Sequence, residues 1–321
     1  MRDALFVVHG MTLALAWLMA VNLVATLAIM IAFRPLMAIA GVKAPGFWLG
    51  LRLFPAAASF AFAAIVFLPS YWKYEPRELV EGFDLTLSAL AVTALAMVVA
   101  AAVRGASAAR RATRRTHAWL RMARPITLRE TSMPVFAIDT DAPAMALVGV
   151  ARPRLLITRG VLDALTDEEL GASVAHEIGH RRSWDNLKRL ALCAAPDMLT
   201  ATAAARAIER QWASASEHVA DRQACATARA RCALASALVK VARLTPATTP
   251  ITEPISTLID GGEIASRVRR LLDEGVPAAT TRPSPRRWIA AALPAAALVI
   301  GYAPLLRAVH AVTEVLVHTL P

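Results

Sequence analysis

His176, Glu177 and His180 form an H-E-x-x-H motif, the run of residues in this chain best suited to chemistry. In a helix, residues four apart share a face, so the two histidines can present their imidazoles to one metal ion. Glu177 lies one position further round the helix and can reach a water on that ion. Two neutral imidazoles and a carboxylate base are the arrangement of a zinc peptidase site. The motif therefore predicts zinc-dependent hydrolysis.

The flanking sequence predicts the helix that the motif requires. Thr166 and Glu169 have the spacing of a capping box, with Thr166 as the N-cap and Glu169 as the third helical residue. A helix that begins there runs through small residues into the motif. The alternative is a chance occurrence of the same residues on a solvated helix face, and the capping box argues against it.

Two histidines do not complete a catalytic zinc site, which usually has three protein ligands and one open position. Glu217 and His218 are rival third ligands on one predicted helix. We favour Glu217, because Asp221 lies four residues later on the same face and can accept the second N–H of a ligand histidine. His218 points about 100° away around the helix.

The composition places this chemistry in a membrane protein. The 321 residues are 57% hydrophobic with a mean hydropathy of +0.49, which is too apolar for an ordinary soluble domain. The net charge of +11 would suggest a nucleic-acid partner in a soluble protein. Here the excess charge lies beside hydrophobic runs, so we expect no nucleic acid. Three cysteines without C-x-x-C spacing indicate a reducing compartment.

Four hydrophobic segments are long enough to be transmembrane helices. Their predicted bounds are residues 5–33, 53–69, 85–103 and 288–306. The predicted organisation is a membrane domain (1–103), an Arg-rich juxtamembrane segment (104–124), a zinc metallopeptidase domain (125–275), a linker (276–287), the fourth transmembrane helix and an amphipathic tail (307–321). The polar residues His9 and Asn22 fit interfacial or helix-packing positions in the first span.

Charged loops predict the orientation, because positively charged loops stay in the cytoplasm. The segment 104–124 contains seven arginines and no acid, whereas acids dominate the loop after the second span. Arg34, Lys43 and Arg52 place the loop after the first span inside as well. We expect a multi-pass protein of a bacterial-type inner membrane with its active site facing the cytoplasm. The arginines of residues 104–124 are expected to bind anionic lipid.

The polar region between the third and fourth spans predicts an α+β domain that is mainly α. Strand-like segments cover residues 135–138, 144–150 and 154–158, and helical segments cover about 167–183, 185–193, 201–230, 232–243 and 262–273. The strand at 144–150 is a candidate sheet edge that could hold an extended peptide. The predicted fold class is thus an α-helical membrane protein with about four transmembrane helices and this domain inserted between helices three and four.

These motifs resemble the membrane-bound gluzincin zinc metallopeptidases, both the HtpX and CAAX-prenyl-protease type and the BlaR/MecR antirepressor type. The resemblance covers about residues 130–275 and rests on residues 155–162, 165–170, 175–180, 185–186 and 217–221. It implies a zincin-like fold and one zinc ion per chain. The implied zinc ligands are His176, His180 and Glu217, with Glu177 as the catalytic acid/base and Asp221 as the partner of a ligand histidine.

The subtype within that resemblance stays open. The H-x-x-x-x-D-N run from His180 is similar to the antirepressor type, and the E-x-x-A-D run from Glu217 is similar to the HtpX type. Resemblance to the HtpX type also suggests Arg267 as the donor that stabilises the oxyanion, against the alternative of a solvated basic helix. The chain ends soon after the fourth span without a penicillin-binding domain, so we expect no β-lactam sensing.

The favoured function is an integral-membrane zinc endopeptidase that cleaves protein or peptide substrates at the cytoplasmic face. Glu177 would assist attack by a zinc-bound water and then deliver a proton to the leaving amine. One alternative is a signal-transducing protease of the antirepressor type that cleaves a specific repressor. A catalytically inactive membrane scaffold is disfavoured, because every expected zinc residue is present. The sequence leaves the substrate and the oligomeric state open.

Overall fold

The computed structural model describes residues 2–38, 44–76, 85–244, 261–273 and 286–319. Side chains are described for all of these except residues 2, 38, 261–263 and 286–300. The described chain is mostly helical, with one small sheet in its middle.

Long apolar helices form the N-terminal part. They are α1 (Arg2–Ala38), α2 (Pro45–Ala61), α3 (Leu68–Tyr74) and α4 (Leu85–Met122). A π-helical segment, Phe62–Phe67, joins α2 to α3 into one continuous rod. Among the described residues, three stretches are long and apolar enough to cross a membrane: Asp3–Met37, Pro45–Tyr74 and Leu85–Met122. The structure therefore has three candidate membrane-spanning helices in the region where the sequence predicts its first three spans.

These helices are longer than the predicted spans. Hydropathy marks only the apolar part of a helix, whereas the hydrogen-bonded helix continues into the polar residues on either side. The Arg-rich segment is accordingly part of α4, which continues to Met122. Arg34 and Arg52 were predicted to lie in a loop, and both predictions are wrong. Arg34 lies inside α1, and Arg52 lies inside α2 and is only 1% exposed.

A four-stranded sheet follows α4. Its strands are β1 (Ala123–Ile126), β2 (Val135–Ile138), β3 (Met145–Val148) and β4 (Arg154–Thr158). Their order is β1-β2-β4-β3, with β2 and β4 parallel and the outer pairs antiparallel, so β3 is an edge strand. Strand β3 is shorter than predicted because Gly149 adopts a φ of 92°, which ends the extended backbone. Strand β1 was not predicted.

Helices complete the middle domain. They are α5 (Arg159–Ala164), α6 (Asp167–Arg182), α7 (Asp185–Cys193), α8 (Ala203–Ala224), α9 (Ala228–Leu244) and α10 (Gly261–Asp273). The predicted helix at 201–230 is wrong at both ends. Thr202 caps the start of α8 by accepting a hydrogen bond from the Ala205 N–H, and the chain leaves the helix at Cys225. Thr227 then accepts from the Ala230 N–H where α9 begins.

Apolar side chains hold the sheet against α6 and α9. Leu155 and Ile157 of β4 and Val174 of α6 are fully buried, and Ala237 of α9 packs in the same cluster. Burying such side chains contributes roughly 1.5–3 kcal/mol each. This core fixes the motif helix relative to the sheet.

The last described helix is α11 (Arg286–Thr319), which includes the predicted fourth span and most of the predicted tail in one element. Its C-terminal part packs against the membrane helices. Ser70 Oγ donates to the Leu306 carbonyl, and Trp17 Nε1 donates to Thr313 Oγ1. Most side chains of the predicted fourth span lie outside the described residues, as does nearly all of the predicted linker, so both stay predictions.

Gly160 marks a close contact within the sheet region and provides a stability test. A Cβ at this position would lie 2.0 Å from the Asp141 carbonyl oxygen, a main-chain atom that cannot rotate away. We expect Gly160→Ala to lower the free energy of unfolding by about 1–3 kcal/mol, the usual cost of overpacking. Chemical denaturation of the full-length protein in detergent measures this value.

The matched control is Gly171→Ala in α6. A Cβ there would meet only Glu130 Cγ, at 3.5 Å, which is ordinary contact. Replacing a glycine inside a helix by alanine usually stabilises by roughly 0.5–1 kcal/mol. Equal unfolding free energies for the two variants would show that the backbone at Gly160 moves easily.

Candidate metal centre

The start of α6 is fixed by the predicted capping box. Thr166 Oγ1 accepts from the Glu169 N–H at 3.4 Å, and Glu169 Oε2 accepts from the Thr166 N–H at 2.8 Å. Glu169 also binds Ser236 and Lys240 of α9. Burial raises the pKa of Glu169, but Lys240 and these hydrogen bonds outweigh burial and lower it to about 2. The helix that carries the motif is therefore anchored at its first turn.

His176, His180 and Glu217 meet at one buried point between α6 and α8. The two histidine Nε2 atoms lie 3.2 Å apart. Glu217 Oε2 is 3.4 Å from His176 Nε2, and Glu217 Oε1 is 3.3 Å from His180 Nε2. All three side chains are buried, and one ligand atom from each lies within 4.8 Å of the others. The predicted ligand set is thus brought together in space.

A carboxylate faces the second nitrogen of each histidine. His176 Nδ1 lies 3.0 Å from Asp221 Oδ1, and His180 Nδ1 lies 2.7 Å from Asp185 Oδ2. Such a partner fixes the ring orientation and directs the Nε2 lone pair toward the shared point. The sequence predicted the position of Asp221 but gave no role to Asp185. The D-N pair quoted in the family resemblance was the available signal for it.

Small residues allow α6 and α8 to approach each other at this point. A Cβ on Gly179 would lie 3.1 Å from Ala220 Cα, closer than most real contacts. Glycine in the motif and alanine between Glu217 and Asp221 therefore let the two helices pack closely. This contact brings the carboxylate of Glu217 to the histidines.

Glu177 lies beside the three ligands and is only 3% exposed. Its Oε2 accepts from the Leu147 N–H of β3 at 3.1 Å. Its Oε1 is buried and has no hydrogen-bond partner among the residues that the structure describes. Burial raises the pKa of the Glu177 carboxyl above its usual value. One oxygen is thus fixed, and the other is available to exchange a proton.

Arg267 reaches the same centre from α10 and is 4% exposed. Its Nη1 lies 2.9 Å from Glu217 Oε2, its Nη2 lies 2.6 Å from Asp221 Oδ1, and its Nε donates to Asp221 Oδ2 at 3.0 Å. The alternative of a solvated basic helix disagrees with this burial. The structure places the guanidinium on the two carboxylates of α8, and its role as an oxyanion donor stays a prediction.

The ionisable groups of the centre shift one another's pKa values. Burial lowers the pKa of His180, but contacts with Asp185 and Glu217 outweigh burial and raise it to about 10. Burial raises the pKa of Glu217, and the two histidines outweigh burial and hold it well below its usual range. Because a metal ion binds neutral imidazole, a metal ion that binds here would displace a proton from His180.

The donor set fits a zinc ion. Two imidazoles and one carboxylate, each fixed by a neighbouring group, are the three protein ligands of a catalytic zinc site that keeps one position open. The rival ligand His218 is buried but does not join the group of three within the described residues. The adjacent Glu217 occupies the place that a third ligand requires.

The sheet edge lies next to this centre. Leu147 of β3 donates its N–H to Glu177, and its carbonyl accepts from Asn186 Nδ2 at 3.0 Å. Asn186 Nδ2 also donates to the Gly149 carbonyl at 2.8 Å. Sequence reasoning gave no role to Asn186 or Leu147, because neither contact is between neighbours in the chain.

An apolar cavity opens beside His176 and Glu177. Its other walls are the side chains of Met145, Val161, Leu165, Leu234, Leu238 and Ile264, with Ser173, Ala237, Val241 and Ala242. Met145 belongs to the edge strand, and most of the remaining wall comes from α9. A molecule bound at His176 and Glu177 would therefore have this apolar cavity next to it.

A two-histidine, one-glutamate centre on paired helices, with a free carboxylate oxygen beside a sheet edge, is an arrangement typical of metallopeptidases. In agreement, residues 109–211 match the model of a known family, Peptidase family M48. The match includes the motif helix and ends before Glu217, and it supports a membrane-type metallopeptidase family. Among curated proteins, none matches the chain.

Proposed function

We propose that this protein is an integral-membrane zinc endopeptidase whose active site faces the cytoplasm. The observation that carries the proposal is the convergence of His176, His180 and Glu217 beside the unpaired Oε1 of Glu177. The family match to metallopeptidases supports the same activity. The three apolar helices support the membrane location.

The proposed mechanism assigns the proton transfers to Glu177. A zinc ion held by His176, His180 and Glu217 would supply Lewis-acid activation of water and of the scissile carbonyl. Glu177 Oε1 takes a proton from the attacking water and later gives it to the leaving amine, so its carboxyl ends the cycle as it began. The hydrogen bond from Leu147 holds the carboxylate in place during both transfers. A pKa raised by burial suits a group that must both accept and release a proton.

We place the substrate backbone along the edge strand β3. The backbone groups of Met145 and Leu147 point to the same side of the strand, away from β4. Those of Leu147 already bind Glu177 and Asn186, so an extended peptide would pair at Met145. This register places the scissile bond near Glu177 and a neighbouring side chain at the apolar cavity.

The cytoplasmic orientation is supported by the surface of α4. Arg110, Arg111, Arg114 and Arg121 are exposed along the part of the helix that follows its apolar stretch. Arginines in this position favour the cytoplasmic side and contact with anionic lipid. We accordingly place the protein in a bacterial-type inner membrane.

Reversible metal dependence tests the proposed function. Zinc-loaded full-length protein in detergent should cleave an unfolded protein such as casein, because the proposed centre supplies both the activated water and the base. A strong zinc chelator should abolish cleavage, and added zinc should restore it. Cleavage that persists after the metal has been removed, as checked by elemental analysis, would contradict a zinc mechanism.

The apolar cavity predicts the kind of bond that is cut. We expect cleavage of a peptide library next to large apolar residues. Ala242→Leu fills part of the cavity and should lower kcat/KM for those bonds by about 10-fold or more, with less effect on small side chains. Mass spectrometry of the products measures the preference.

The matched control for the cavity is Ala228→Leu, which makes the same change at an exposed position of α9. This variant should keep the wild-type preference. An identical cleavage profile for Ala242→Leu would show that the cavity does not receive a substrate side chain.

A signal-transducing protease that cleaves one repressor is the second candidate function. The observation that favours it is the set of polar contacts that Asn22, Arg52 and Arg104 of the apolar helices make with residues 195–197, which lead into α8. A proteomic comparison with a Glu177→Gln strain separates the two candidates, because a transducer should leave a single uncut substrate.

A further inference from the structure

Arg52 has an unusual position for a charged residue. It lies in the apolar helix α2 and is 1% exposed. Its Nη1 lies 2.8 Å from Asp197 Oδ2, its Nε lies 2.7 Å from Glu209 Oε1, and its Nη2 donates to Thr200 Oγ1 at 2.8 Å. All three guanidinium nitrogens are therefore bound to groups outside the membrane helices. A buried charge without its partners is strongly destabilising, so the positions of Arg52 and its three partners are fixed relative to one another.

The partners of Arg52 lie on α8 and on the turn that immediately precedes it. Asp197 Oδ1 accepts from both the N–H and the hydroxyl of Thr200, which shapes the 3₁₀ turn Met198–Ala201. Thr202 follows at once as the N-cap of α8. Glu209 lies on α8 itself. Arg52 thus binds the helix and the turn from which that helix begins.

The helix α1 holds the same segment. Asn22 Nδ2 donates to the Pro196 carbonyl at 3.2 Å, and Asn22 Oδ1 accepts from the Met198 N–H at 3.0 Å. The same amide donates to Ser59 Oγ of α2 at 3.2 Å, which ties the two membrane helices together at this point. Asn22 is fully buried.

The helix α4 contributes a third contact. Arg104 Nη2 donates to the Ala195 carbonyl at 3.0 Å. At Gly105 an added Cβ would lie 2.7 Å from Ala194 Cβ, so the backbone of α4 packs against the Ala194 side chain. Each of α1, α2 and α4 therefore binds residues 194–202, the connection between α7 and α8.

The connection 194–202 has part of the metal centre on each side. Before it, α7 begins with Asp185, which faces His180. After it, α8 carries Glu217 and Asp221. Trp48 of α2 packs in one apolar cluster with Ile208 and Trp212 of α8, so α8 is held directly against α2 as well.

We propose that Arg52 is a positioning residue for the metal centre, which fixes α8 so that Glu217 reaches the ion held by His176 and His180. The inference rests on the proposed function in that it takes Glu217 as a metal ligand. Metal–ligand distances tolerate deviations of only about 0.2 Å, so a small displacement of α8 weakens binding without removing any ligand. A shift of α2 within the membrane would be transmitted to the metal centre by the same contacts.

Metal binding by full-length protein in detergent tests the proposal. We expect Arg52→Gln to lower zinc affinity about 10- to 100-fold in a chelator competition, the range seen when a group that orients a ligand is lost. The visible absorption of the cobalt-substituted variant should change, because that spectrum reports ligand geometry. Arg52→Lys keeps the charge without the planar fork and should restore part of the affinity.

The matched control is Arg34→Gln, which removes an exposed arginine from the membrane helix α1 and should leave zinc affinity and the cobalt spectrum unchanged. If Arg52→Gln fails to fold in a thermal melt, Glu209→Gln decides, because it removes one partner of Arg52 whose side chain is 38% exposed. A folded Arg52 or Glu209 variant with wild-type zinc affinity and spectrum would overturn the proposal. Wild-type protein that binds zinc but cleaves nothing would instead refute the proposed function alone.

Discussion

The variant Glu177→Gln is expected to lose peptide hydrolysis by a factor of about 10²–10⁴ while zinc stays bound. The amide has nearly the same shape as the carboxylate, and its oxygen can still accept the hydrogen bond from Leu147. The amide of the glutamine, unlike the carboxylate, cannot take a proton from water. Activity should therefore fall with no loss of fold or metal, because Glu177 is not among the three converging ligands.

Initial rates on an unfolded protein substrate, together with zinc content by elemental analysis, measure this effect. Glu168→Gln is the matched control, since it makes the same change in the first turn of the same helix at an exposed position. That variant should keep wild-type activity. Cleavage at wild-type rate by Glu177→Gln would refute the role of Glu177 as the base.

The motif helix could be predicted because its signals are local. The capping box lies at the start of α6, and the predicted range of 167–183 differs from the observed Asp167–Arg182 by one residue. Helix α7 was predicted with its exact bounds, Asp185–Cys193. The structure also brings Glu217 to the two histidines, and the sequence could single it out because a fixed ligand number leaves few candidate residues. Its role as a ligand stays a prediction.

Features that depend on distant contacts could not be predicted in the same way. Strand β1 contains Arg124 and Pro125, which hide the alternation expected of a strand, and it exists because β2 pairs with it. A charge that interrupts an apolar run predicts a loop, so the local pattern misplaces Arg52. Its partners lie about 145 and 157 residues further along the chain, beyond any local pattern.

The charge balance of the metal centre explains why Arg267 belongs in it. Glu217, Asp221 and Asp185 place three carboxylates around two histidines in a buried region. Several buried negative charges need a positive charge nearby, and the Arg267 guanidinium provides it by bridging Glu217 and Asp221. By holding the Glu217 carboxylate in this way, Arg267 would also limit which of its oxygens could face a bound metal ion.

The largest loss of metal is expected from Glu217→Ala, which should lower zinc affinity by more than about 100-fold, because it removes a ligand rather than the partner of one. The neighbouring variant His218→Ala should bind zinc as the wild type does, since His218 does not join the converging group within the described residues. Competition with a chromophoric chelator measures both affinities. Thermal melts supply a second test, because zinc should raise the Tm of the wild type and of His218→Ala but not that of Glu217→Ala.

If His218→Ala lost zinc and Glu217→Ala kept it, the third ligand would be His218, and α8 would have to be rotated by about 100° from its present position.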